Sequence, residues 1–260
     1  MLKLEKGSVE MTQYEYYIKE ANVVSNFFEK EHGKNYRIDG VLNPNEMFKD
    51  PKRMHIVMLL KEGADSESKW TPISNIENEN ITYPDKKNRS KTWGPIICRT
   101  VHFLLTNEWW DKVPCGKENG KNVSGYAYIN TKKTYGSRTS NDKQLDNYAQ
   151  KYREMLKRQI IACCPDVVIC CQNNNRQMER LLTIMNSNEE ESKYLSNKRI
   201  ENQYLRCIKY NYQGKTQYLV AIQYVHPSRS ICTKKEQKTR LEEAKDIISE
   251  VMDINRHQHE

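Results

Sequence analysis

The chain's 260 residues can bury one substantial core, and at a mean hydropathy of −0.91 no apolar stretch nears the ~20 residues of a membrane span. Its 42 Lys+Arg against 34 Asp+Glu give a net charge of +8 and a pI near 8.9, a bias toward polyanions such as nucleic acid. The N-terminal MLKLEKGSVEMTQ lacks the apolar region of a secretory signal, so a cytoplasmic location with no membrane contact is expected.

Residues 11 to 31 predict an amphipathic helix, with Tyr14, Tyr17, Ile18, Ala21, Val24, Phe27 and Phe28 at spacings of three and four. HIVMLLK at 55 to 61 is the continuous apolar run of a strand covered on both faces. Residues 65 to 91, rich in Asn, Ser, Lys, Asp and Pro, read as a long polar insertion, and helical periodicity resumes at 95 to 105. YAYINT at 126 to 131 reads as a second strand. A capped helix is expected from about 142 to 162, ahead of Pro165.

DVVICC at 166 to 171 is the third apolar strand. The pairs Cys163, Cys164 and Cys170, Cys171 sit in apolar runs without CxxC spacing, so they read as reduced core thiols rather than iron–sulfur or zinc ligands. Neither metal nor cofactor is expected. Residues 173 to 200 start helical and turn variable, with a loop near 186 to 191. RCIKYNY and TQYLVAIQYV, separated by Gln213 and Gly214, predict a hairpin, and a last helix covers 234 to 254. This alternation implies one α/β domain over 1–260, a three-layer αβα sandwich around a central, mainly parallel four-stranded sheet.

Three strand-to-loop segments carry polar groups suited to chemistry: LLKEGAD at 59 to 65, AYINTKK at 127 to 133 and YVHPSR at 224 to 229. An open α/β sheet gathers such groups in one crevice at the carboxyl ends of its strands. Bases interleave with aromatics nearby: Lys86, Lys87, Arg89 and Lys91 with Tyr83 and Trp93, and Lys132, Lys133 and Arg138 with Tyr135. That pattern suits a groove in which cations follow phosphates and rings meet bases.

Taken in this order, the segments resemble the uracil-DNA glycosylase superfamily. Lys61-Glu62-Gly63-Ala64-Asp65 is similar to its GEAPG and GQDPY loops, Ile129-Asn130-Thr131 to its LLN segment, and His226-Pro227-Ser228 reproduces its histidine loop. TWGPIICRTVHFLL resembles the segment whose ring stacks on the extruded base, and PDVVICC the third strand; the likeness spans about residues 55 to 232. Lys61 stands where a glycine is usual, the loop's proline is missing, and the four-cysteine pattern of the iron–sulfur subfamilies is absent.

The resemblance implies a uracil-DNA glycosylase-like fold and a monofunctional DNA glycosylase acting on a flipped-out base. As the glycosidic bond opens, the sugar gains positive and the departing base negative charge, so an anion and hydrogen-bond donors are needed. Glu62, or Asp65 in its place, is expected to orient water and stabilise the sugar cation, and His226 to donate to the base O2. Asn130 would read the base and Trp93 stack on it. Ser228 and Arg229, with Lys132, Lys133 and Arg138, would hold DNA, single- or double-stranded, bound by a monomer.

The Asn130 amide can match uracil or, flipped, cytosine. No tyrosine stands within KEGAD to crowd the pyrimidine 5-position, and the polar insertion follows. A 5-modified cytosine, such as the glucosylated hydroxymethylcytosine of phage DNA, is therefore the expected substrate, in antiphage defence. Uracil repair is the alternative within the family. A non-catalytic nucleic-acid-binding module need not keep Glu62, Asn130 and His226 together. A nucleotide-processing enzyme would more often carry GxxxxGK[ST] or GxGxxG, and neither occurs.

Overall fold

The computed structural model describes residues 11–36, 39–63, 93–111, 125–135, 141–172, 174–195, 198–225 and 233–257. In chain order the elements are α1 (Gln13–His32), β1 (Gly40–Leu42), α2 (Pro44–Phe48), β2 (Ile56–Gly63), α3 (Trp93–Thr106), β3 (Tyr126–Tyr135), α4 (Asp142–Lys151), α5 (Arg153–Ala162) and β4 (Val167–Cys171). Then come α6 (Arg176–Met185), the short strands β5 (Tyr194–Leu195) and β6 (Lys198–Arg199), β7 (Leu205–Tyr212), β8 (Lys215–Tyr224) and α7 (Lys234–His257).

The main sheet has six strands in the order β1-β3-β2-β4-β8-β7, where four were expected. The four expected strands, β3, β2, β4 and β8, are its parallel centre, and β1 and β7 add antiparallel edges. Strand alternation sends Val57, Leu59, Ala127, Ile129, Val168 and Cys170 into one core, beneath α1, α5 and α6. Ile56, Met58, Tyr126, Tyr128, Val167 and Ile169 enter a second core beneath α3 and α7. The three-layer αβα architecture follows from these two apolar faces. No helix among the described residues is long and apolar enough to cross a membrane.

The first helix starts with a reciprocal cap: Thr12 Oγ1 accepts from the Glu15 N–H, and the Glu15 carboxylate accepts from the Thr12 N–H. Its docked face is Tyr17, Glu20, Val24 and Phe28. Tyr14 and Ile18, expected on that face, are 39% and 37% exposed. The helix is rolled toward Glu20, whose carboxylate pairs with Arg158 of α5. The single helix expected over 142 to 162 is two, broken at Tyr152, where φ is −106° and ψ 20°. No Gly or Pro marks the break. The Tyr152 ring lies among Phe28, His32 and Tyr148, so tertiary packing sets it.

The β7–β8 hairpin turns at Gln213 and Gly214, with φ of 49° and 84°, the left-handed pair that a tight two-residue turn needs. Gly125, which leads into β3, also has positive φ, and a Cβ there would lie 2.9 Å from the Met47 main-chain nitrogen. Gly125→Ala therefore combines backbone strain with a main-chain clash. It should lower unfolding free energy by about 1–3 kcal/mol in urea melts.

At the amino edge His55 is buried, with Nδ1 3.0 Å from the Cys164 carbonyl oxygen and its main-chain N–H donating to Asp166 Oδ2 at 2.9 Å. Asn255 Nδ2 donates to Asp166 Oδ1. Burial pulls the His55 imidazole below its ordinary pKa and pushes the Asp166 carboxyl up. The unfolded chain thus protonates His55 first, at about pH 6.5. Stability from this residue is whole above that pH and falls as pH drops from the unfolded toward the lower folded pKa. Asp166, with its raised folded pKa, opposes the fall only once it takes up its own proton. Urea midpoints of wild type should decline from pH 7.5 to 5.5 more steeply than those of His55→Gln. Parallel curves would exclude His55 as the source.

Candidate active site at the carboxyl edge of the sheet

The registers bring the ends of the four parallel strands to one edge. Leu60 lies beside Asn130, Glu62 beside Lys132, and Cys171 beside Tyr224. Helix α3 runs back down the sheet, with Leu104 and Leu105 beside Met54, the residue ahead of His55 and β2. Its first half is at the carboxyl edge, where the Thr100 and Tyr224 hydroxyls are hydrogen-bonded at 3.1 Å. Trp93 opens that helix.

Of the residues expected to act on the base or sugar, Asn130 is the one whose side chain is described, and it is only 4% exposed. Its parity puts it on the α3 side, next along the strand from Tyr128. Burial pushes the Tyr128 phenol's pKa up, and a hydrogen bond from the Asn130 amide pulls against that rise. Among the described residues the amide oxygen, Oδ1, has no hydrogen-bond partner. Leaving such an acceptor dry and unpaired costs about 1–3 kcal/mol, so this oxygen can take a donor from outside the described residues.

Behind Asn130, on the opposite face of the sheet, is a buried polar cluster. The Lys133 ammonium donates to Asp39 Oδ1 at 2.8 Å and Oδ2 at 2.9 Å, and both side chains are wholly inaccessible. Asp39 also accepts from the Gln159 amide at 2.8 Å and from the Asn130 main-chain N–H. Burial lowers the Lys133 pKa and Asp39 raises it again. Lys133 is thus corrected from a phosphate-binding cation to an internal counter-charge, sealed from any DNA backbone. Removing either partner would strand the other at about 3–5 kcal/mol. Lys132, the neighbouring residue on β3, is half-buried and keeps access to the edge.

A second network ties the strand ends to α4 and α6. Gln177 Nε2 lies 2.8 Å from the Leu60 carbonyl oxygen and 2.6 Å from Thr131 Oγ1, and Thr131 Oγ1 donates to the same carbonyl at 3.0 Å. Arg180, 2% exposed, donates to Asp142, Asp146, Gln172 and Gln177. One guanidinium thereby fixes the end of β4, the start of α4 and the glutamine that holds β2 and β3. Sequence reading missed Asp39, Gln177 and Arg180, which stand in no motif, and Tyr128, which lies in AYINTKK but was read only as part of the strand.

Glu62 and Trp93 are described by their backbone alone. Asp65, Arg138, His226, Ser228 and Arg229 lie outside the described residues, as do Tyr83, Lys86, Lys87, Arg89 and Lys91. The last described residue before His226 is Val225, which directly follows the end of β8 at the same edge. Cys98, Cys163, Cys164, Cys170, Cys171 and Cys207 are free and buried, as expected of core thiols, and burial holds their pKa values above the ordinary thiol range. Among the described residues no group of three or more His, Cys, Asp or Glu side chains is arranged to hold a metal. No protein-family model matches the chain, and no curated protein matches it either.

Proposed function

We propose that this protein is a DNA glycosylase that draws a pyrimidine out of the helix and hydrolyses its N-glycosidic bond, leaving an abasic site. The observation that carries the reading is the buried Asn130 amide oxygen at the carboxyl edge, among the four parallel strands whose exits bear the other polar segments of the resemblance. In this reading the amide oxygen accepts from the base's N3–H or 4-amino group, whichever the target presents. His226, four residues beyond Ile222 of β8, donates to O2 as negative charge builds there. Glu62, at the end of β2, or Asp65 holds the attacking water and faces the sugar cation.

The substrate proposed is a cytosine enlarged at its 5-position, such as the glucosylated hydroxymethylcytosine of phage DNA. KEGAD has no tyrosine to crowd that position, and the polar residues 65 to 91 follow it. In abasic-site assays, duplexes bearing glucosylated hydroxymethylcytosine should lose the base faster than the same duplex with cytosine. Deleting residues 75 to 88 should narrow the gap. Rapid release of plain uracil with none from any 5-modified cytosine would leave uracil repair as the better reading.

A further inference from the structure

The ladders on the two sides of β3 break within a few residues of Asn130. Glu62 pairs with Lys132 but Gly63 with Tyr135, so residues 133 and 134 have no counterpart on β2. On the other side Gly40 pairs with Tyr128 and Tyr36 with Thr134, a step of four residues against six. The shift against β2 follows Lys132, two residues past Asn130, and the β1 ladder ends at Tyr128, two residues before it. Bulges re-aim side chains beside functional sites, and they leave main-chain donors without ladder partners. Asp39 fills the gap: its Oδ2 accepts the Asn130 N–H at 2.5 Å. Its other bonds go to Lys133, inside the bulge, and to Gln159 of α5, so the carboxylate is fixed from three directions.

We infer that Asp39 is a positioning residue that sets Asn130 through its main chain, with Lys133 as the counter-charge that allows a carboxylate at that depth. The inference rests on the glycosylase reading for what Asn130 then does to a base. The carboxylate's third partner is the main-chain N–H of Asn130, whose own buried amide oxygen is unpartnered among the described residues.

The test follows hydrogen exchange and base release together in the whole chain. In wild type the Asn130 amide should exchange as slowly as that of Ile129; fast exchange there overturns the inference without need of any variant. D39L/K133M replaces the pair by apolar side chains that bury without charge, and D39N/K133M restores an acceptor oxygen, also without charge. The first should lose roughly tenfold or more in Asn130 protection relative to Ile129 and a similar factor in single-turnover release, with DNA affinity within about twofold. The second should recover both. A folded D39L/K133M that keeps wild-type release and exchange overturns the inference, as does a folded D39N/K133M as impaired as the apolar pair. If wild type releases no base from any DNA, it is the glycosylase reading that fails, and the exchange arm alone then decides on Asp39.

Discussion

Asn130→Ala is expected to slow single-turnover base release at least about tenfold, equivalent to roughly 1.4 kcal/mol of lost transition-state stabilisation. His226→Ala should do the same, since in the proposed reading one residue reads the base and the other steadies it as it leaves. Neither should much change DNA affinity, which backbone cations set. For Asn130 the fold should also hold. Its side chain bonds only to Tyr128 among the described residues, while Asp39 is bonded to its main chain, which alanine keeps. A folded Asn130→Ala that released base at the wild-type rate would remove Asn130 from the chemistry.

Arg180→Ala should instead attack the scaffold. The guanidinium is 2% exposed and donates to two carboxylates and two glutamine oxygens. The Asp142 and Asp146 side chains are 41% and 39% exposed, so water can recover part of what they lose. A destabilisation of about 2–4 kcal/mol is expected, read as a drop of roughly 5–15 °C in Tm. The Gln177 contacts with Leu60 and Thr131 should loosen with it, so hydrogen exchange should rise first at the ends of β2 and β3. A variant with an unchanged Tm would show that the network adds nothing to stability.

The parallel centre of the sheet was readable because each of its strands is buried on both faces and so leaves a continuous apolar run. HIVMLLK and DVVICC could hardly be anything else in an α/β chain. The Gln213–Gly214 turn was readable for a local reason, the need for two positive φ angles. β1 was not, since Gly40–Leu42 is too short to show a period, and the break at Tyr152 was not, since its cause is an aromatic cluster assembled from α1 and α4. Lys133 is the instructive case. Alternation along Ala127, Ile129, Thr131 and Lys133 points it into the core, yet its charge argued for the surface. Only Asp39, distant in sequence and in no motif, makes the buried position tolerable.

The same contrast holds for the site. Asn130 stood out because it follows the apolar start of β3 inside a segment with a family likeness. Asp39, which accepts from its main-chain N–H, carries no such signal, because it is distant in sequence and acts on the backbone rather than at the base.

The most direct measurement is mass spectrometry of the products when purified protein is incubated with duplex DNA bearing glucosylated hydroxymethylcytosine. A glycosylase must yield the free modified base and an equal amount of alkali-labile abasic sites, and Asn130→Ala must yield much less of both. DNA binding with neither product, across modified cytosine, plain cytosine, thymine and uracil, would contradict base excision and leave a nucleic-acid-binding module in its place.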